Sequence, residues 1–233
     1  MSSGPAILSD ACYNCGATLA GNFCAACGQK GQPLDPDLGD LLHDLSHELL
    51  HFDGKIVRSI WTLLMKPGVL TRDYVAGRRV RWVSPIRLYL VFSVAYFGFI
   101  ALDHDTLEVS HSFSRLMFVL LPVFAWLVSA VSVQRRNFPQ HLYFALHVHA
   151  AWFAAWLIRE GGATVLSPRF MASTRWLGEL MLLYSAAYVV LAFRKGYDEK
   201  FWKAALKMAA VVTAYMVVVI LAGIAVSVAS RRF

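Results

Sequence analysis

Long apolar runs fill the chain from residue 85 onwards, whereas the first 84 residues mix polar and apolar positions. Five of the runs predict membrane-spanning helices, although most lie near the lower length limit for crossing a hydrocarbon core of roughly 30 Å. The predicted spans are Pro85–Leu102, Leu116–Val133, Leu142–Ile158, Trp176–Phe193 and Met208–Val228. The pattern therefore predicts an all-α polytopic membrane protein with about five transmembrane helices.

Two amphipathic segments precede the first span. In the segment Leu38–Phe52, apolar residues recur at the three- and four-residue spacing of one helical face. The segment Lys55–Met65 repeats this pattern and is too short to cross a bilayer. We therefore expect both helices to lie along the cytoplasmic membrane surface. Ser84 and Pro85 then predict a helix start, with serine as the N-cap and proline at the first helical position.

The composition agrees with a membrane protein. Charged residues make up 16% of the 233 residues, where a soluble domain has about a quarter, and the mean hydropathy is +0.51. In a membrane protein, the formal net charge of +7 indicates that basic residues set the topology and contact anionic lipid headgroups. Nucleic acid is therefore an unlikely partner. Basic residues are concentrated before the first span and in the second and fourth connecting loops, which predicts a cytoplasmic N-terminus.

Four cysteines near the N-terminus form two C-x-x-C pairs, each followed by glycine: Cys12, Cys15, Cys24 and Cys27. Four thiolates supply the tetrahedral ligand set that Zn²⁺ prefers, and such a closed site indicates a structural role. A module of this size is too small to be stabilised by core burial alone, so Zn²⁺ is the expected cofactor of a small zinc ribbon. The alternatives, two chance pairs or a redox C-x-x-C, do not explain the duplicated pattern with its glycines.

Three histidines, His43, His47 and His51, recur every four residues and so lie on one stripe of the first amphipathic helix. Spacing of four residues along a helix suits metal ligation. The favoured interpretation is a solvated polar face whose imidazoles titrate near neutral pH. A metal site or a pH-sensitive contact is the alternative.

A basic cluster precedes the first span and consists of Arg72, Arg78, Arg79 and Arg81. Tyr74 and Trp82 lie among these arginines, and this combination is typical of an interface anchor. We expect the cluster to fix the topology and to bind anionic headgroups. An alternative is that Arg78, Arg79 and Arg81 bind a substrate phosphate. Arg87, near the start of the first span, is expected to reach back to the headgroups.

His147 and His149 lie near the middle of the third predicted span and point to different helix faces, so they cannot bind one ion from the same side. A histidine within the membrane needs a polar partner and is a candidate functional residue. One hypothesis is a catalytic acid or base, or a metal or haem ligand. The other is a hydrogen bond between helices to a Ser, Thr or Tyr side chain, with Ser93, Ser129 and Ser185 as candidates.

Several motifs together resemble an uncharacterised bacterial family of membrane proteins with an N-terminal zinc ribbon. They are the two cysteine pairs with Gly28-Gln29, Phe52-Asp53-Gly54-Lys55, Arg58-Ser59, Pro67-Gly68, Tyr74, Gly77-Arg78-Arg79, Pro85 to Leu90 and Leu146 to His149. The resemblance implies a zinc ribbon, a basic connecting segment and a helical membrane domain in a bacterial inner membrane. It brings no catalytic residues.

These observations divide the chain into a ribbon and linker at residues 1–33, an amphipathic and basic segment at 34–84, and a membrane domain at 85–233. The favoured function is an adaptor, sensor or assembly factor with a cytoplasmic protein partner. The alternatives are a membrane enzyme acting on a phosphate-bearing lipid, with His147 or His149 as acid or base, and a transporter component. The sequence leaves open whether the protein is an enzyme.

Overall fold

The computed structural model of the protein describes residues 11–31, 54–102, 107–134, 136–165 and 175–230. The expected helix Leu38–Phe52, with His43, His47 and His51, lies outside these residues. The described part contains seven helices: α1 (Lys55–Met65), α2 (Val69–Val75), α3 (Pro85–Ile100), α4 (Leu107–Val131), α5 (Phe138–Val165), α6 (Arg175–Gly196) and α7 (Phe201–Ser230). The ribbon adds two isolated antiparallel β-bridges, Ala11 with Thr18 and Phe23 with Lys30.

Three helices are long and apolar enough to cross a membrane, and they lie at Phe138–Gly162, Trp176–Gly196 and Phe201–Ala225. The apolar helices Pro85–Ile100 and Leu116–Val131 are shorter. The first of these begins as the sequence predicts, because Ser84 Oγ accepts a hydrogen bond from the Arg87 backbone N–H and proline occupies the first turn. Of the five predicted spans, three therefore coincide with helices that are long and apolar enough to cross a membrane, and the other two coincide with shorter apolar helices.

Helix α5 is the centre of the bundle and packs against α1, α2, α3, α4 and α6. Alanines let neighbouring helices approach it closely, and Ala145, Ala150 and Ala151 are completely buried. Tyr143 and Phe153 fill the spaces between these contacts and are buried as well. Helix α7 closes the bundle on the other side by packing against α4 and α6.

The loop between α4 and α5 and the end of α6 meet at the same end of the bundle. The Gln134 side-chain amide donates to the Tyr197 carbonyl at 2.5 Å, and the Arg136 guanidinium donates to the Gly196 carbonyl at 2.6 Å while stacking on the Tyr197 ring. Arg136 thereby caps the C-terminus of α6, where the helix dipole favours a positive charge. Helix α2 reaches the same region, since Thr71 lies against Gly196. We call this the basic end of the bundle.

Candidate metal centre and its docking clasp

Each cysteine pair forms the same tight turn. The Gly16 N–H donates to the Cys12 carbonyl and the Gly28 N–H to the Cys24 carbonyl, both at 2.8 Å. Gly16 and Gly28 have φ values of 78° and 72°, a left-handed conformation that glycine adopts without steric cost. The duplicated turn predicted from the sequence is therefore present, and its left-handed conformation explains why glycine follows each cysteine pair.

The two turns bring all four cysteine sulfurs within 4.8 Å of one another. Cys12 Sγ lies 3.6 Å from Cys27 Sγ, and Cys15 Sγ lies 3.5 Å from Cys24 Sγ. Four sulfurs at about 2.3 Å from a central Zn²⁺ would be about 3.8 Å apart, so the residues present fit a tetrahedral metal ion. The cluster could hold a metal ion, and its four ligands are those named from the sequence.

The four thiols influence one another strongly. Hydrogen bonds from the Gln29 backbone and from the Asn14 side chain lower the pKa of Cys27 to about 6. The Ala17 backbone acts in the same direction on Cys15, but hydrogen bonds with the Cys24 and Cys27 thiols outweigh it and raise the pKa of Cys15 to about 12. Four thiolates this close together repel one another, so complete deprotonation requires a bound cation.

Gln29, two residues after the last cysteine, connects the ribbon to the segment that precedes α3. Its side-chain Nε2 donates to the Gly77 carbonyl at 2.7 Å, and its Oε1 accepts from the Arg79 and Val80 backbone N–H groups at 3.1 and 3.3 Å. Although it belongs to a small surface module, Gln29 is 7% exposed. Its own carbonyl accepts from the Cys24 N–H, so the second cysteine turn orients this side chain.

A second contact joins the same two parts. The Arg81 guanidinium donates to the Asn14 side-chain oxygen at 3.2 Å and to the Asn14 carbonyl at 2.9 Å. Asn14 lies inside the first C-x-x-C pair and Gln29 follows the second, so each pair contributes one contacting residue. We call the contacts of Gln29 with residues 77–80 and of Asn14 with Arg81 the clasp.

Asp73 organises the loop that receives the ribbon. This buried carboxylate accepts two hydrogen bonds from Arg78, the shorter at 2.7 Å, and one from the Trp82 indole N–H at 3.0 Å. The Arg58 guanidinium in turn lies over the Trp82 ring. A buried carboxylate with three donors is well satisfied, and it fixes both ends of the loop.

The predicted arginine sites therefore have contacts within the protein. Arg78 is ion-paired with Asp73, and Arg79 lies over the Tyr74 ring with its backbone N–H on Gln29. Arg87 lies in the first turn of α3 and is partly exposed. The structure brings Arg78 and Arg79 together in the clasp region.

His147 and His149 both make hydrogen bonds between helices, with partners other than the serines named from the sequence. His147 Nδ1 lies 3.0 Å from Thr71 Oγ1, and His149 Nε2 lies 3.2 Å from the Tyr215 hydroxyl. The three candidate serines instead donate to carbonyls three or four residues earlier in their own helices: Ser93 to Leu90, Ser129 to Trp126 and Ser185 to Met181. A short hydroxyl side chain reaches its own helix more easily than a neighbouring one.

Sequence reasoning did not identify Asp73 or assign the role of Gln29, and it left the tyrosine partners of α1 unnoticed. Tyr188 and Tyr184 of α6 donate to the Leu63 and Leu64 carbonyls at 2.7 and 3.0 Å. A buried polar residue has no periodic signal in one sequence. Nearby motifs were the available signal: Asp73 lies four residues before Gly77-Arg78-Arg79, and Gln29 is the last residue of Cys27-Gly28-Gln29.

Comparison with known proteins relates part of the chain to a family. The family described as a protein of unknown function (DUF3667) matches residues 53–97, which include α1, α2, the loop of the clasp and most of α3. No curated protein and no solved structure matches the chain. Over that stretch the chain is similar to a family whose function is not described.

Proposed function

We propose that the protein is a multi-pass bacterial inner-membrane adaptor or sensor whose zinc-bound ribbon is docked at the cytoplasmic end of the membrane bundle. The observation that carries this proposal is the clasp. A metal-binding turn positions Gln29, and Gln29 satisfies three backbone groups of the loop that leads into α3. The folded state of the ribbon is thereby coupled to the first membrane helix.

Zn²⁺ is the proposed metal, held by the thiolates of Cys12, Cys15, Cys24 and Cys27. It would supply folding energy to a module that has little apolar core of its own. Residues of the chain couple the ribbon to the segment before α3. The turn of Cys24 to Gln29 orients the Gln29 side chain toward residues 77–80, and the first turn places Asn14 within hydrogen-bond distance of Arg81. Phe23 is 63% exposed on the second turn and offers an apolar contact for a cytoplasmic protein partner.

The proposed topology has five spans, with the basic end in the cytoplasm. The loop between α4 and α5 meets the end of α6 at this end, and α2, which leads to the segment that contacts the ribbon, lies against Gly196. Basic residues are concentrated in the segment 72–81, at Arg135 and Arg136, and on both sides of the turn between α6 and α7. Trypsin tests the orientation, because Lys30 in the ribbon is exposed. Cleavage after Lys30 is expected in inverted vesicles and not in intact spheroplasts, and the reverse result would contradict this topology.

The adaptor hypothesis has more support than the lipid enzyme. Arg78 and Arg81 contact Asp73 and Asn14, so they are engaged inside the protein instead of lining an open phosphate site. His147 contacts Thr71. Among the residues that the structure describes, no contact favours the transporter alternative.

Hydrogen exchange tests the coupling directly. The Gln29→Ala variant removes the acceptor of the Arg79 and Val80 amides, so their exchange is expected to accelerate, together with exchange in the ribbon. Lys30→Ala is the matched control, because its exposed side chain neighbours Gln29 and makes no contact in the clasp. Metal analysis of the purified full chain is expected to find one zinc per chain.

Unchanged exchange at Arg79 and Val80 in Gln29→Ala would contradict the coupling. For the adaptor role, a photo-crosslinking residue at Phe23 is expected to give one discrete protein adduct in cells, and the Cys24→Ser variant is expected to lose it. The same crosslinker at Leu102, an exposed residue at the opposite end of α3, serves as the control. Equal adducts at both positions would argue against a ribbon-specific partner.

A further inference from the structure

We propose that α1 is a re-entrant half-helix, which enters the membrane from the basic end, turns back at Gly68 and presents an apolar stripe to lipid acyl chains. The proposal rests on the membrane location given above. It differs from the sequence-based expectation that Lys55–Met65 lies along the membrane surface.

The two ends of α1 lie at different depths. Near its start, Ser59 Oγ accepts from the Val83 N–H at 3.0 Å, beside the N-cap of α3 and directly after the segment that contacts the ribbon. Its last turn is bound by Tyr188 and Tyr184 of α6. At 1.5 Å per residue, these tyrosines lie about 12 and about 18 Å along α6 from Gly196. The candidate span Trp176–Gly196 has 21 residues, so the two tyrosines lie on either side of its middle.

The length of α1 suits a half crossing. Its 11 residues extend about 16 Å, close to half of a hydrocarbon core of roughly 30 Å. A helix that ends inside the membrane leaves carbonyl groups without water, and these groups must be satisfied by protein. Here the Lys66 N–H donates to the Thr62 carbonyl, while Tyr188 and Tyr184 donate to the next two carbonyls. A helix on the membrane surface would need no such buried donors.

The chain then turns back through Gly68. Its φ is 77°, and a Cβ at this position would overlap the Ala192 carbonyl oxygen and lie 2.9 Å from the Gly196 nitrogen. The hairpin is therefore pressed against the part of α6 nearest the basic end. Helix α2 continues the return, and Thr71 reaches His147 on α5. Lys66, the one charged residue in the turn, is exposed, and its long stem can carry the ammonium group toward the headgroups.

The outer face of α1 carries an apolar stripe, and the exposed Arg58 near its start lies over the Trp82 ring. Val57, Trp61 and Met65 recur every four residues and are 77%, 62% and 56% exposed. Helix α1 contacts α6 through the Leu63 and Leu64 carbonyls, and the outward face of α6 carries exposed leucines, among them Leu183. Because the tyrosines join α1 to the middle of that span, the lipid that covers α6 also covers the stripe. The occupant of this surface is therefore the acyl chains of the bilayer.

A depth series along α1 tests the proposal. Trifluoromethylphenylalanine is incorporated genetically at position 57, 61 or 65 of the full chain in phosphatidylcholine–phosphatidylglycerol nanodiscs, which leaves the cysteines untouched. Fluorine NMR line broadening is measured with a nitroxide at the end of the acyl chain, a nitroxide on the headgroup and a water-soluble gadolinium chelate. Matched labels at Leu183 on α6 and at Ala26 in the ribbon mark the membrane interior and water.

The ratio of acyl-chain to headgroup broadening is expected to rise severalfold from position 57 to position 65, where it matches the Leu183 label. A flat profile dominated by the headgroup nitroxide would overturn the half-helix and support a surface helix. Strong gadolinium broadening at 61 and 65, with the Leu183 label still protected, would also overturn it while leaving the membrane location intact. A Leu183 label broadened by gadolinium would refute the membrane location and the half-helix together. Because three positions are read independently, one variant that fails to fold does not remove the test.

Discussion

Replacement of Gly68 by alanine is expected to destabilise the protein strongly. Two independent features of the position oppose a side chain. The backbone is in the left-handed region at φ 77°, and the space where a Cβ would lie is occupied by the Ala192 carbonyl and the Gly196 amide of α6. Neither neighbour can rotate away, because both are backbone groups. The hairpin must therefore move away from α6 for the alanine to fit.

The magnitude follows from these two terms. The left-handed conformation costs a residue with a Cβ about 1–2 kcal/mol. Overpacking against a rigid neighbour adds about 1–3 kcal/mol. Together they give roughly 2–5 kcal/mol, which lowers the Tm of a protein of this length by roughly 5–15 °C. Separation of the hairpin from α6 is also expected to weaken the hydrogen bonds of Tyr188 and Tyr184 to α1.

Thermal unfolding of the purified full chain in detergent, followed by intrinsic fluorescence, measures the effect. Gly98→Ala is the matched control, because Gly98 lies inside α3 without a positive φ, and no atom beyond its own helical backbone lies within 4 Å of the place that a Cβ would take. The control is expected to leave Tm unchanged or to raise it slightly, since alanine is the better helix former. A Gly68→Ala variant with the Tm of wild type would refute the close approach of the hairpin to α6.

Three further results are expected. Asp73→Asn weakens the interaction with Arg78 and should lower stability by about 1–3 kcal/mol, measured as a fall in Tm and as faster hydrogen exchange at residues 77–82; exchange like that of wild type would contradict the role of this carboxylate. Metal should be released as pH falls from about 7 to about 5, because protons compete for the thiolates, and dialysis followed by metal analysis would detect it; full retention at the lower pH would be inconsistent with a thiolate site. In a double-mutant cycle, His149→Phe and Tyr215→Phe should couple by about 0.6 kcal/mol in thermal stability, whereas additive effects would show that their hydrogen bond contributes nothing.

Local chemistry made the cysteine cluster predictable. The two-residue spacing within each cysteine pair and the glycine that follows it define a turn of five residues, and such a turn needs no information from the rest of the chain. The Ser84 N-cap and the helical runs are local in the same way, since they depend on neighbours within one or two helical turns. The presence of these helices therefore followed from periodicity and apolar length. The boundaries were less predictable, because α4 begins before its predicted span and α5 and α7 extend beyond theirs at both ends.

Partners distant in sequence were not predictable. The separation between Gln29 and Gly77 is 48 residues, and that between Tyr188 and Leu63 is 125 residues. A single sequence shows that a glutamine, a tyrosine or a histidine is present, but the packing of the bundle determines which groups lie within reach of it. The serines expected to bind His147 and His149 illustrate the point, because their hydroxyls are used by their own helices.

The sequence by itself determined the two cysteine turns, the presence of apolar helices and the basic character of one end. Tertiary structure decided that the arginine cluster contacts Asp73 and the ribbon, and that Tyr188 and Tyr184 of α6 bind the last turn of α1. The physical reason is the same in each case. A short segment encodes its own backbone conformation and its own hydrophobicity, whereas burial of a polar group is tolerated where another part of the chain supplies its hydrogen-bond partner.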